Sequence, residues 1–295
     1  MAARTDIGVA PPAFRLPDST HIGSVRLQVS DLERSIAYYE RVLGLRAIER
    51  DGARVSLASR EDDRVLLELV EKKGVRPVPH RGLLGLYHFA VLLPDRPALG
   101  RFLAHLGEIG ERAGMSDHIV SEAIYLTDPD GLGIEVYADR PRHTWKAEER
   151  QIVMASKPLD AADVVAAAHG EKWTGVPAGT VIGHVHFYVG DIGEAESFYH
   201  AGLGLDKIVW NYPGALFMSA GGYHHHVGTN TWAAGASVAT DNDARLLDWE
   251  LLLGRKESVE EAAASIEKAG YPVERNAGSA MATDPWGIRV RLSPA

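Results

Sequence analysis

The stretch IGSVRLQVSDLERSIAYYERVLGL (Ile22–Leu45) recurs almost residue for residue as IGHVHFYVGDIGEAESFYHAGLGL (Ile182–Leu205). Each copy opens on an alternating apolar/polar run, the period-2 signature of a strand with one buried face. Each then reaches an Asp (Asp31, Asp191) suited to cap a helix, because its carboxylate can accept from the free N–H groups of the first turn. An aromatic pair follows at a position that faces the sheet (Tyr38 and Tyr39, Phe198 and Tyr199), and a glycine (Gly44, Gly204) stands where the helix should stop. Strand, helix and strand in this order, written twice 160 residues apart, predict an internally duplicated chain.

A second pair of segments completes the pattern. LYHFAVLLPDRPALGRFLAHLGEIG (Leu86–Gly110) parallels LLDWELLLGRKESVEEAAASIEKAG (Leu246–Gly270), and both run on to a DP turn, DPDGLGIEVY (Asp128–Tyr137) and DPWGIRVRLS (Asp284–Ser293). Pro fixes φ and Gly permits positive φ, so each of these is a turn between strands. The expected architecture is α+β. It has four βαβββ modules, two in an N-terminal unit (20–141) and two in a C-terminal unit (181–295), joined by a linker (142–180) whose Ala-rich part forms a short helix.

Composition narrows the function. A chain of 295 residues and 32.0 kDa can bury a large core without covalent staples. It has no cysteine, which removes disulfides, thiolate metal sites and thiol catalysis. Its 40 acidic and 31 basic residues form no basic stripe, so nucleic acid is not an expected partner. No apolar run approaches the roughly 20 residues of a membrane span, and the N-terminus lacks the apolar core of a secretory signal. A cytoplasmic homo-oligomer is the expectation. The chemical hint is the 13 histidines.

The four modules, the opening of Ile22–Leu45 and the DPDG ending resemble the vicinal oxygen chelate superfamily of glyoxalases, antibiotic-resistance proteins and extradiol dioxygenases. The runs GLYHFAVLLPDR (Gly85–Arg96), SDHIVSEAIYLTDPDGLGIEVYADRPR (Ser116–Arg142) and SAGGYHHHVGTNTW (Ser219–Trp232) are most similar to its catechol-2,3-dioxygenase branch. The resemblance implies paired modules curled into half-closed barrels around a divalent metal. It also implies metal ligands at two slots of a module, early in the first strand and in the last strand.

Those slots hold Ser24, His88, His184 and Asp248 in the four first strands. In the last strands they hold Glu68, Glu135, a position within His224–His226, and Arg291. Arg291 is a permanent cation and cannot be a ligand. Pairing modules consecutively, 1 with 2 and 3 with 4, would give each barrel a broken set. Pairing module 2 with module 3 would bring together His88, His184 and Glu135. Two imidazoles and a carboxylate on one face of a metal are the donor set of non-haem Fe(II) oxygenases. That chemistry favours the 2–3 pairing, with Fe(II) as the metal and Mn(II) as the alternative. Glu135 lies between Ile134 and Val136 and so points away from the side that buries them.

The resemblance also implies an acid–base set: His225 in the closing strand of the third module, Tyr125 ten residues before Glu135, and His118 upstream of it. In the fourth module Met281 takes the place of Tyr125, and Arg291 that of Glu135. Adjacent strand residues alternate faces, so at most two of His224, His225 and His226 are expected to enter one site. Tyr223 and Trp232, on either side, are candidates to line a pocket for an aromatic ring. The implied reaction is extradiol cleavage of a small aromatic diol by O2. A glyoxalase-like isomerase or hydrolase, drawing a second carboxylate from Glu68, and a non-catalytic drug-binding protein are the rival expectations.

Overall fold

The computed structural model describes residues 7–295. Four βαβββ modules are present. The first comprises β1 (His21–Val29), α1 (Leu32–Tyr38), β2 (Arg46–Asp51), β3 (Arg54–Ala58) and β4 (Val65–Glu71). The second comprises β5 (Gly85–Leu92), α2 (Arg96–Ile109), β6 (Gly114–Asp117), β7 (Ser121–Thr127) and β8 (Gly133–Asp139). Between the halves lie a two-residue strand pair, β9 (Ala147–Glu148) and β10 (Gln151–Ile152), and the helix α3 (Ala161–Ala166). The third module is β11 (Val181–Tyr188), α4 (Ile192–Ala195), β12 (Asp206–Val209), β13 (Ala215–Ser219) and β14 (Val227–Asn230). The fourth is β15 (Arg245–Leu252), α5 (Lys256–Lys268), β16 (Val273–Asn276), β17 (Ser279–Thr283) and β18 (Arg289–Ser293).

The expected caps at Asp31 and Asp191 are formed, and Asp95, which the sequence reading did not single out, makes a third. Asp31, Asp95 and Asp191 accept from the backbone N–H of Arg34, Ala98 and Glu194, three residues on in each case. The helices of modules 1 and 3 then widen into π-helical turns, Tyr39–Leu43 and Glu196–Gly202. The first ends on Gly44 at φ +74°, where the chain passes so close to Gly175 that a Cβ would meet its Cα at 2.5 Å. Only glycine fits that crossing.

The aromatic pair of each of these helices secures the DP turn of the module that follows. The Tyr39 hydroxyl donates to Asp128 at 3.1 Å, and the Tyr199 hydroxyl donates to Asp284 at 2.9 Å. The second oxygen of each aspartate accepts two turn N–H groups, from Asp130 and Leu132 or from Trp286 and Ile288. Burial pushes these carboxyls up, Asp128 to about 6 and Asp284 to about 7, against the pull of those hydrogen bonds.

The strands form two eight-stranded sheets. One has the order β12-β13-β14-β11-β5-β8-β7-β6 and the other β16-β17-β18-β15-β1-β4-β3-β2. Module 2 therefore joins module 3 through antiparallel β5 and β11, and module 1 joins module 4 through antiparallel β1 and β15. Within each module the first strand runs parallel to the last, as β5 with β8 and β1 with β4. The sheets meet through their central strands, β1 against β11 and β5 against β15. Val25, Leu27, Val185, Phe187, Phe89 and Trp249 are fully buried in this shared core. Because side chains alternate along a strand, the residues between them face the opposite way, into the curl of their own sheet.

Candidate metal centre

Alternation places three side chains in the curl of the sheet built from modules 2 and 3. On β5, His88 lies one residue before the core Phe89. On β11, His184 precedes the core Val185, and on β8, Glu135 separates the core residues Ile134 and Val136. All three are buried, with 4% or less of their surface exposed. The Nε2 of His88 lies 3.0 Å from Glu135 Oε2, and that of His184 lies 3.3 Å from the same oxygen. One ligand atom from each falls within 4.8 Å of the others, a spacing that can hold a metal ion. The 2–3 pairing that chemistry favoured is the one the sheet topology adopts.

The donors fit a divalent metal. Both ring nitrogens of His88 and the Nδ1 of His184 are buried without a hydrogen-bond partner, the 3.0 Å approach to Glu135 being out of line for a hydrogen bond. Unsatisfied buried nitrogens are costly unless something absent from the chain completes them. Burial alone would raise the Glu135 carboxyl, but His184 and His88 outweigh it and hold it well below the usual carboxylate range. Burial drives the His184 imidazole down to about 4, against the pull of Glu135. At neutral pH Glu135 is thus a carboxylate and His184 offers an imidazole lone pair, the protonation states that metal ligation needs.

A cavity of about 150 Å³ opens beside the cluster, and His88, Glu135, His225, Tyr125 and His118 all line it. Tyr125 is the strand partner of Glu135 across β7 and β8. Burial, with Glu135 adding to it, keeps its hydroxyl protonated far above the ordinary tyrosine range. His118 sits in the tight β6–β7 connection, whose next residue, Ile119, is held at φ +72°. A β-branched residue there is strained. Asp117 secures the turn by accepting from the Ile119 N–H at 2.8 Å. His118 Nδ1–H donates to the Ala155 carbonyl at 3.0 Å, which leaves Nε2 to accept from the Tyr125 hydroxyl at 2.5 Å.

His225 also reaches the cavity, its ring 4.1 Å from that of His184. Burial, reinforced by the neighbouring His184 and His224, keeps it well below the usual histidine range and therefore neutral. The location of the triple-histidine tract differs from the expectation. His224–His226 lie in the turn before β14, not in a strand, so alternation does not govern them. All three are buried. His226 turns away and accepts from the Ala220 N–H, and His225 alone of the three lines the cavity. The last-strand slot of module 3 is filled by Gly228, whose Cβ would strike the His186 ring at 2.9 Å.

His186 was missed in the sequence, though its signal was there: two residues after His184, it shares that residue's face of β11. It lines the cavity and its Nε2 accepts from Asn230 at 3.0 Å. Phe217, which pairs with Gly228 as Tyr125 pairs with Glu135, and Tyr87 line the cavity too. Trp232 joins them at the rim, half exposed, whereas the Tyr223 hydroxyl lies 2.7 Å from that of Tyr137, outside the cavity lining. Glu68 belongs to the other sheet, beside Arg26.

Fold and site together define a vicinal oxygen chelate protein. The model of the Glyoxalase/Bleomycin resistance protein/Dioxygenase superfamily matches residues 21–136 and 181–292, and the chain belongs to that family. Among its relatives is the catechol-2,3-dioxygenase of Bacillus subtilis (strain 168), 43% identical over 272 residues, which cover 91% of this chain and 95% of that one. A solved structure from Bacillus subtilis subsp. subtilis str. 168 matches with a TM-score of 0.65 at 12% identity, over 96% of this chain and 86% of that one. Glyoxalase I from Zea mays matches with a TM-score of 0.55 at 16% identity, over 94% and 92% of the two chains. At such identities the two structures speak to the fold alone. Among the described residues, no helix is long and apolar enough to cross a membrane.

Proposed function

We propose that the protein is an extradiol dioxygenase that opens a catechol-type ring with O2, at Fe(II) held by His88, His184 and Glu135. The observation that carries this reading is the cluster itself: two imidazoles and one carboxylate, buried and under-satisfied, beside a cavity that also holds His225 and Tyr125. The 43% identity to a catechol-2,3-dioxygenase supports it independently. Mn(II) suits the same donors. Among the described residues the glyoxalase-like alternative finds no second carboxylate in the cluster, since Glu68 lies on the other sheet.

When bound, the metal supplies the redox chemistry that brings O2 and the ring together, and both oxygen atoms end in the ring-opened product. The protein's own part is binding and proton handling. Neutral His225 faces the cavity and accepts a proton from a ring hydroxyl as the diol binds. Tyr125 keeps its proton, with which it donates a hydrogen bond to His118, and presents oxygen lone pairs that accept from the second hydroxyl and orient it. The aromatic walls, Tyr87, Phe217 and Trp232, suit a flat uncharged ring. With this activity go two further elements of the proposal, a cytoplasmic setting and assembly as a homo-oligomer. Sequence units 20–141 and 181–295, joined by 142–180, are proposed as the duplicated halves.

Oxygen uptake on catechol and alkylcatechols, normalised to bound iron, tests the reading. Consumption of one O2 per diol with a yellow ring-opened product is expected. Isomerisation of a thiol adduct of methylglyoxal without oxygen uptake would replace this reading with the glyoxalase one.

A further inference from the structure

Residues Glu135, Tyr137 and Asp139 alternate along β8 and so share the face that looks into the curl. Glu135 reaches the metal cluster. Tyr137 packs its ring 4.9 Å from that of His184. Asp139, the last residue of the strand, lies 3.0 Å from His224 Nε2 with its side chain 24% exposed, at the edge of the protein. His224 is enclosed, its ring 4.1 Å from Tyr223 and 5.3 Å from Trp145. Its other nitrogen, Nδ1, lies 2.7 Å from Nδ1 of His225.

The chemistry of these groups assigns the protons. A carboxylate can only accept, so the hydrogen between Asp139 and His224 belongs to His224 Nε2. In neutral His224 that leaves a lone pair on Nδ1. Two nitrogens 2.7 Å apart share one hydrogen, and a His224 whose single hydrogen faces Asp139 takes it from Nδ1 of His225. The opposite nitrogen of His225, Nε2, then carries a lone pair, and it has no hydrogen-bond partner among the described residues. Which imidazole nitrogen acts is set by the bond the other one makes. We propose that Asp139 and His224 are positioning residues, which fix His225 as its Nδ1–H tautomer and aim the Nε2 lone pair into the cavity. The catalytic meaning of this arrangement rests on the dioxygenase reading; the arrangement itself does not.

The test reads tautomers directly. Two-bond 1H–15N spectra of the full chain, labelled at histidine and stripped of metal, distinguish the Nδ1–H from the Nε2–H form at neutral pH. His225→Gln identifies the His225 signals by their loss. His225 should be Nδ1–H and His224 Nε2–H. In Asp139→Ala and in His224→Phe, which keeps a ring in place, His225 should become a mixture of forms. The same two variants, loaded with iron, should retain metal and lose about tenfold in kcat, as supporting partners of a site commonly do, with KM within about twofold. Wild-type His225 in the Nε2–H form, a doubly protonated His224, or a His225 tautomer unmoved by either substitution would overturn the proposal. The spectra need no metal, diol or O2. The expected tautomers without any oxygen uptake would therefore uphold the positioning pair and sink the dioxygenase reading. The wrong tautomer in an enzyme active on catechol would do the reverse.

Discussion

The two half-barrels share one topology and fill it in opposite ways. Around β5 and β11 the slots hold His88, His184 and Glu135, with small Ala90 and Gly228 beside them, and donors are left unsatisfied. Around β1 and β15 the equivalent slots hold Ser24, Asp248, Glu68 and Arg291, with Arg26 in the place of His186 and Glu250 in that of Ala90. There the chain brings its own cations. Arg26 pairs with the fully buried Asp248, Arg291 lies 3.2 Å from Glu250, and Arg291 Nη2 donates to Ser24 Oγ at 3.4 Å. A buried carboxylate needs a positive partner. One barrel meets that need with guanidinium groups, and the other sets its carboxylate beside two imidazoles with room next to them. Duplication supplied two equivalent pockets, and side-chain choice left one of them fit for a metal.

The largest effect is expected from the ligand set. His88→Ala, His184→Ala and Glu135→Ala should each abolish iron retention and oxygen uptake, whereas Asp248→Ala and Arg291→Ala should retain full iron by metal analysis. Iron lost in Asp248→Ala but kept in His88→Ala would break the contrast between the barrels. Next comes His225, the proposed base. His225→Gln should keep iron yet lower kcat by about 10²–10⁴, the usual contribution of general acid–base help. Loss of turnover per iron in His226→Gln instead, with His225→Gln unaffected, would show that the wrong histidine was chosen.

The third expectation concerns stability and sharpens the comparison from the other barrel. Asp248→Ala leaves Arg26 without its buried partner and should cost about 2–3 kcal/mol in denaturant unfolding. An unchanged midpoint would mean that the ion pair contributes nothing. The smallest effect is a pH dependence of the metal-free protein. His184 and His226 fall to about 4 and about 3 in the folded state, and His186 and His225 also lie well below their ordinary value. The unfolded chain therefore binds more protons between about pH 3 and 6.5, and stability should fall as pH drops through that window. Asp128 and Asp284, raised to about 6 and 7, pull the opposite way because the folded chain holds their protons more tightly. Four histidines outweigh two aspartates, so the melting temperature should decline from pH 6.5 to 4.5; a rise would show that the aspartates dominate.

Much of this was legible before any coordinates. The repeated run from Ile22 to Leu45 announced the modules, because a period-2 strand, an Asp cap and a glycine stop each have a local physical cause. The pairing of modules 2 and 3 was legible only through chemistry: Arg291 cannot ligate, so the donors had to meet elsewhere. Less local features escaped. The turn Ala220–Tyr223 ends the third module's strand early, and apolar patterning does not show that His224–His226 precede β14. Asp139 and His224 are 85 residues apart, and nothing along the chain links a strand-end aspartate to a distant turn. Arg26 gave no sign of its role either, since an arginine in a strand usually reaches solvent, and its burial against Asp248 depends on the 1–4 pairing.

The central claim is that one barrel of the two holds the metal. Anomalous diffraction at the iron edge, from crystals of protein loaded with Fe(II) without oxygen, tests it most directly. A single peak within bonding distance of His88 Nε2, His184 Nε2 and a Glu135 oxygen is expected, with none between Ser24, Asp248 and Glu68. A peak in that second barrel, or no peak at the first in fully loaded protein, would contradict it.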